Sequence, residues 1–202
     1  IAVGVGDNDY SDAQLHLWLN NGDGTFSDMT VAWGLDIPSE GRGIACFDYD
    51  RDGDIDVVLL DHSRGLQFYE NQTGHQPGSR FLQVRLVGRA PNTDALGAKV
   101  YVTADVGGGH GWQRQMRVSQ ANSNFNGQNL PDLHFGLGHA DRVAALRIEW
   151  PDGTGLVCQD VEANQFLIFD QRDKLWPKLF SDAPDCLWHS NIAQIISDAL
   201  SP

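Results

Sequence analysis

Asp48-Tyr49-Asp50-Arg51-Asp52-Gly53-Asp54-Ile55-Asp56 places five aspartates within nine residues, with a glycine at the sixth position. Acids at the first, third and fifth positions followed by glycine form the opening of an EF-hand type calcium loop, D-x-D-x-D-G. The spacing has a chemical reason. Ca²⁺ takes six to eight oxygen ligands at about 2.3–2.6 Å, and alternate carboxylates converge on one ion only where the backbone curls. Gly53 permits that turn. Asp54 at the seventh position, or Ile55 in the alternative register, offers a backbone carbonyl. The twelfth position, a glutamate in an EF-hand, is Leu59 here, and Asp56 at the ninth closes the set instead. Read as a solvated acidic turn, the loop would crowd like charges between Cys46-Phe47 and Val57-Val58 with nothing to offset them. The expectation is therefore one structural Ca²⁺ held by Asp48, Asp50, Asp52, Asp54 and Asp56. Mg²⁺ suits the set less, because it keeps more of its waters.

Working outward, the loop leads into an internal repeat. Ile55-Asp56-Val57-Val58-Leu59-Leu60-Asp61, followed by Leu66-Gln67-Phe68-Tyr69-Glu70-Asn71, matches Ile1-Ala2-Val3-Gly4-Val5-Gly6-Asp7, followed by Leu15-His16-Leu17-Trp18-Leu19-Asn20. Each copy reads as strand, short polar loop, strand and Asn/Gly turn. The spacing of roughly 50 residues is that of a four-stranded propeller blade. Thr25 through Val31 would be the outer strand of the first blade and Gly41 to Phe47 the inner strand of the second. By this alignment Ile1 falls in mid-blade. The blade is then expected to be completed by a preceding region or by another copy of the chain.

Beyond Gly74 the pattern changes. His75-Gln76-Pro77-Gly78-Ser79 reads as a linker. Arg80–Val87, Ala98–Val102, Val143–Trp150 and Gln165–Phe169 then alternate as strands of a compact β-sandwich or small barrel. After Asp173 the alternation stops, and Ile192, Ile195, Ile196 and Leu200 have helical spacing. The fold class expected is all-β: about one and a half propeller blades over residues 1–74, a linker at 75–80, a β-domain over 81–170, and a tail with a short helix over 171–202.

The loop followed by its strand resembles the calcium loop of FG-GAP/VCBS repeats, the blades of integrin-type β-propellers. Asn20-Asn21-Gly22-Asp23-Gly24-Thr25-Phe26 resembles the NNGDGTF signature that links such blades in bacterial proteins. Phe81-Leu82-Gln83-Val84-Arg85-Leu86-Val87-Gly88, Leu96-Gly97-Ala98-Lys99-Val100, Leu133-His134-Phe135-Gly136-Leu137-Gly138 and Glu149-Trp150-Pro151-Asp152-Gly153 resemble, in this order, the ASPIC/UnbV domain. That domain follows such repeats in the cartilage acidic protein family and its bacterial relatives. The resemblance covers residues 1–170. It implies a secreted or cell-surface binding or adhesion protein without a common chemistry.

Composition narrows the alternatives. A net charge of −13 opposes binding to nucleic acid or an anionic membrane, and no apolar run reaches the length of a membrane span. Cys46, Cys158 and Cys186 are an odd set with no CxxC pair. Cys46 reads as a buried core thiol, and Cys158 with Cys186 as a pair whose geometry the sequence leaves open. Asn71-Gln72-Thr73 is an N-glycosylation sequon. Asn21, Asp23 and Asp28, like Asp7, Asp9 and Asp12, are weaker cation candidates, since hairpin turns account for the former and no glycine supports the latter. His134 reads as a hydrogen-bonded strand residue, and Gly107-Gly108-Gly109 as a hairpin tip rather than a phosphate loop. No HExxH or GxSxG is present. The function expected is a non-enzymatic extracellular calcium-binding module that partners other protein chains or copies of itself. The alternative is a carbohydrate-binding or carbohydrate-processing protein, with glycans contacted by Trp112, Trp150 or Phe125.

Overall fold

A computed structural model describes residues 2–5, 15–72, 78–122, 127–172 and 185–189. The expected helix from Asn191 to Leu200, the acids Asp7, Asp9 and Asp12, Phe125, Thr73 of the sequon and residues 75–77 of the linker lie outside the described residues. Those described form strands and no helix, so the chain is all-β as its alternating pattern predicts. They fall into two compact units.

The first unit holds the strands β1 (Ala2–Val5), β2 (Leu15–Asn20), β3 (Phe26–Asp28), β4 (Gly41–Phe47), β5 (Asp56–Asp61) and β6 (Gly65–Tyr69). They form two three-stranded sheets, β1-β2-β3 and β4-β5-β6, one for each copy of the repeat. β1, β2 and β3 pair antiparallel in sequence, the meander of a propeller blade. Leu15, Leu17 and Leu59 are buried. The outer strand of the first blade is shorter than its apolar pattern predicts, ending at Asp28 rather than Val31. Asp28 ends it by accepting the Thr30 N–H at 2.9 Å, which turns the chain so that Leu35 N–H meets the Thr30 carbonyl. Asn21, Asp23 and Asp28 are engaged in turns of this kind. Asp23 Oδ1 accepts both the N–H and the hydroxyl of Thr25.

Asp61 organises the second sheet. Its carboxylate is 1% exposed. One oxygen accepts the Ser39 hydroxyl and Glu40 N–H, and the other accepts Ser63 N–H, Ser63 hydroxyl and Arg64 N–H, all within 2.8–3.0 Å. The approach to β4 and the β5–β6 turn thus share one anion. Burial alone would raise the Asp61 pKa, but the hydroxyls of Ser39 and Ser63 and the N–H groups of Arg64 and Ser63 outweigh it, leaving the carboxyl well below the usual range.

The second unit contains the loop from Phe47 to Ile55 and the strands β7 (Arg80–Val87), β8 (Lys99–Asp105), β9 (Trp112–Val118), β10 (Leu133–Gly138), β11 (Arg142–Glu149), β12 (Gly155–Glu162), β13 (Gln165–Asp170) and β14 (Asp185–His189). Sheet β10-β7-β13 carries β13 parallel to β7, while sheet β14-β12-β11-β8-β9 is a run of antiparallel neighbours. Leu82, Val84 and Leu86 of β7, Phe135 and Leu137 of β10 and Phe169 of β13 share one core with Val100, Val102, Val143, Leu146 and Ile148 of the larger sheet. This is the β-sandwich that strand alternation predicts. Gly107, Gly108 and Gly109, all at positive φ, turn the chain between β8 and β9. The tail contributes one strand that its irregular pattern conceals: β14 pairs with β12, setting Cys186 opposite Cys158. The two form a disulfide across 28 residues, and Cys46 is a half-buried thiol outside it.

Two outcomes follow from these ties. Alkylation of the unfolded, unreduced chain should modify one cysteine, and reduction should expose two more. Cys158→Ser with Cys186→Ser should lower stability by about 3 kcal/mol; three alkylated cysteines before reduction would refute the bridge. Because the Asp61 pKa is depressed on folding, its contribution is complete above the unfolded value of about 3.9 and falls away as pH drops toward the folded one. Asp61→Asn should therefore destabilise at pH 7 and flatten the acid limb of the stability profile below pH 4. An unchanged acid limb would contradict the assignment.

Candidate metal centre

The backbone of the Asp48–Asp56 loop curls through two left-handed residues, Arg51 (φ 66°) and Gly53 (φ 98°). The curl is held by the acids themselves. Asp48 accepts Arg51 N–H on Oδ1 at 2.6 Å and Gly53 N–H on Oδ2 at 2.9 Å. Asp50 accepts Asp52 N–H at 3.3 Å, and Asp52 accepts Asp54 N–H at 2.8 Å. Each odd-numbered position of the motif thereby fixes the backbone ahead of it, the local bonding that favours aspartate in turns.

Asp48, Asp50 and Asp56 each present one carboxylate oxygen, and these three oxygens lie within 4.8 Å of one another. Two ligands on opposite sides of a Ca²⁺ ion at about 2.4 Å are separated by about 4.8 Å, so oxygens this close can share one ion. Asp48 is 9% exposed and Asp56 1%. The donors are hard oxygens with no nitrogen or sulfur among them, a set that fits Ca²⁺ rather than Zn²⁺ or copper. Of the five aspartates expected to act together, Asp52 and Asp54 lie outside this group of three. Burial pushes the Asp48 carboxyl up, opposed by the Gly53 and Arg51 N–H groups and reinforced by the charge of Asp52.

Strands of the second unit pack against the loop. β7 turns Leu82, Val84 and Leu86 inward, and its intervening side chains face the opposite way. Gln83 donates its Nε2–H to Asp48 Oδ2 in a short hydrogen bond. The Phe81 ring lies where a Cβ on Gly53 would fall, 2.1 Å from its Cδ1. His134 of β10 stacks on Phe81, with centroids 6.1 Å apart and planes 8° from parallel. Its Nε2 is 2.9 Å from the Gly53 carbonyl, an acceptor, so this nitrogen carries the proton. Burial lowers the His134 pKa against the opposing pull of the Gly53 bond and Asp48. Arg51 and Arg85 both approach the Phe166 ring, at 5.1 and 5.4 Å. The sequon residue Asn71 is half-buried, and its Nδ2 donates to the Ile55 carbonyl at 3.3 Å.

The loop residues are local in sequence and legible there, and His134 is the hydrogen-bonded strand residue expected; the packing of Gln83, Phe81 and His134 on the loop is not legible. The available signal is a glutamine alternating with Leu82, Val84 and Leu86, which reads equally well as a solvent-facing position.

Residues 88–175 match the model of the ASPIC and UnbV family, and residues 1–59 match that of the FG-GAP-like repeat. The two matches stand in the order that the sequence motifs lead one to expect, the repeat first and the ASPIC and UnbV match after it. Among individual proteins it is similar to cartilage acidic protein 1 of Homo sapiens, 38% identical over 60 residues, which cover 29% of this chain and 9% of that protein. It is likewise similar to that of Xenopus tropicalis, 38% identical over 74 residues, 36% of this chain and 10% of the relative. The Mus musculus protein is 37% identical over 60 residues, 29% of this chain and 9% of the relative. The chain thus spans about a tenth of the length of the curated relatives it matches.

Gly53 is the residue on which turn and packing both depend. Gly53→Ala should destabilise the chain by about 2 kcal/mol or more, combining left-handed strain with the clash against Phe81. Denaturant titration of Gly53→Ala with Phe81→Ala should show part of the loss recovered relative to the sum of the single changes. Wild-type stability in Gly53→Ala would refute the contact.

Proposed function

We propose that the chain is a non-enzymatic, extracellular calcium-binding module of adhesive or structural type. The observation that carries this reading is the convergence of Asp48, Asp50 and Asp56 around the glycine-permitted turn. Their oxygens would hold Ca²⁺, with Asp52 and Asp54 completing its surroundings through side chain, carbonyl or bridging water. The ion would neutralise the crowded carboxylates and rigidify the turn. The FG-GAP-like and ASPIC and UnbV matches, together with the partial similarity to cartilage acidic protein 1, support a place outside the cell.

The proposed partners are protein surfaces. Trp18, Phe26, Leu66 and Phe68 on the two three-stranded sheets are exposed. In a propeller such faces are covered by neighbouring blades, supplied by more of the same polypeptide or by another copy. The carbohydrate reading has less support. Trp112 is 66% exposed, but Trp150 is 2% exposed and belongs to the core. Acids bonded within a turn are also poorly placed to flank a sugar as a glycosidase pair.

The calcium reading is tested by melting the chain with excess CaCl₂ and with EDTA. At a free calcium concentration 100 times Kd, the ion should add about 2.7 kcal/mol. Asp50→Ala should remove this increment while leaving the EDTA curve close to that of the wild type. An EDTA-insensitive transition in the wild type would refute the reading. Molecular mass in solution addresses the partner, since a strict monomer at high concentration would exclude completion by a second copy.

A further inference from the structure

We infer that Gln83 and His134 are positioning residues for the cation, so that strands β7 and β10 set the affinity of a loop that lies outside them in sequence. The inference rests on the reading of that loop as a Ca²⁺ site.

The case begins with Asp48. An ionised carboxylate has about four lone-pair sites. Arg51 N–H, Gly53 N–H and the Gln83 carboxamide occupy three of them. This leaves capacity for one further partner and fixes the direction in which it lies. Two of these donors belong to the loop and would move with it. Gln83 does not: it is 5% exposed on β7, between Leu82 and Val84 of the sandwich core. It therefore ties Asp48 to a rigid strand.

His134 does the same for the turn. With its Nε2–H on the Gly53 carbonyl and its ring stacked on Phe81, it fixes the peptide after Gly53. The rotation of that peptide decides how the chain returns from Asp52 toward Asp56. Neither residue offers the ion a direct ligand in this arrangement, since one presents an amide N–H to Asp48 and the other an imidazole N–H to a carbonyl. Each acts through an acid or a peptide that it orients, as the hydrogen-bond partners of metal ligands generally do.

The test measures Ca²⁺ affinity by calorimetry, and Tb³⁺ luminescence lifetime as a count of bound water, on the whole chain. Gln83→Met keeps length and burial but has no donor. His134→Phe keeps the stack on Phe81 but has no donor. Each should weaken Ca²⁺ binding about ten-fold, within the range seen when such partners are removed. Gln83→Met should also shorten the Tb³⁺ lifetime as water replaces a loosened Asp48. Some loss of stability in EDTA is expected from losing a buried donor, so the inference is read from the Ca²⁺ affinity and the Tb³⁺ lifetime. Reduced EDTA stability with unchanged Ca²⁺ affinity would mean a structural role alone and would overturn the inference. Should Gln83→Met fail to fold, His134→Phe decides on the same criteria. Absence of saturable Ca²⁺ binding in the wild type would instead defeat the underlying calcium reading, and the inference with it.

Discussion

Carboxylates gathered into less than the width of a hydrated ion repel one another, and the fold around residues 48–56 is arranged to contain that repulsion. Backbone N–H groups absorb part of it, turning successive aspartates into acceptors for the peptides that follow them. A strand amide absorbs more. What these donors leave is a concentration of negative charge among Asp48, Asp50 and Asp56 that a hard cation would match. The glycine, the left-handed Arg51 and the aromatic wall of Phe81 all serve to keep that arrangement closed.

A second anion shows the same principle with a different outcome. Asp61 is 1% exposed, and five hydrogen bonds from Ser39, Glu40, Ser63 and Arg64 satisfy it. It has no need of an ion. Asp48, with three hydrogen-bond donors, keeps room for a further partner where Asp61, with five, does not, and sequence position alone does not reveal that number.

Much of the fold could be read directly because its signals are local. Alternating runs gave β4, β7, β11 and β13, and the D-x-D-x-D-G spacing marked the turn that brings three of its acids together. What escaped the reading depends on residues far apart. Gln83 lies 35 positions from Asp48, and a glutamine in an alternating strand carries no mark of its partner. β14 is five residues preceded by Pro184 and followed by polar Ser190 and Asn191, and it becomes a strand because β12 offers an edge and Cys158 a bridge. The outer strand of the first blade failed for the opposite reason: its apolar pattern continued, but a side-chain bond at Asp28 ended it.

The parallel pairing of β13 with β7 has a consequence in the order of synthesis. Strand β7 is made early, but its neighbour Gln165–Asp170 emerges only after the whole of the larger sheet up to β12 has been translated. Chains grow at about 5–20 residues per second, and long-range parallel pairing forms slowly even when both strands are present. The aspartate loop is therefore translated well before the wall that supports it is complete. Its supporting sheet is closed only when β10 and then β13 have joined β7, both made after the loop.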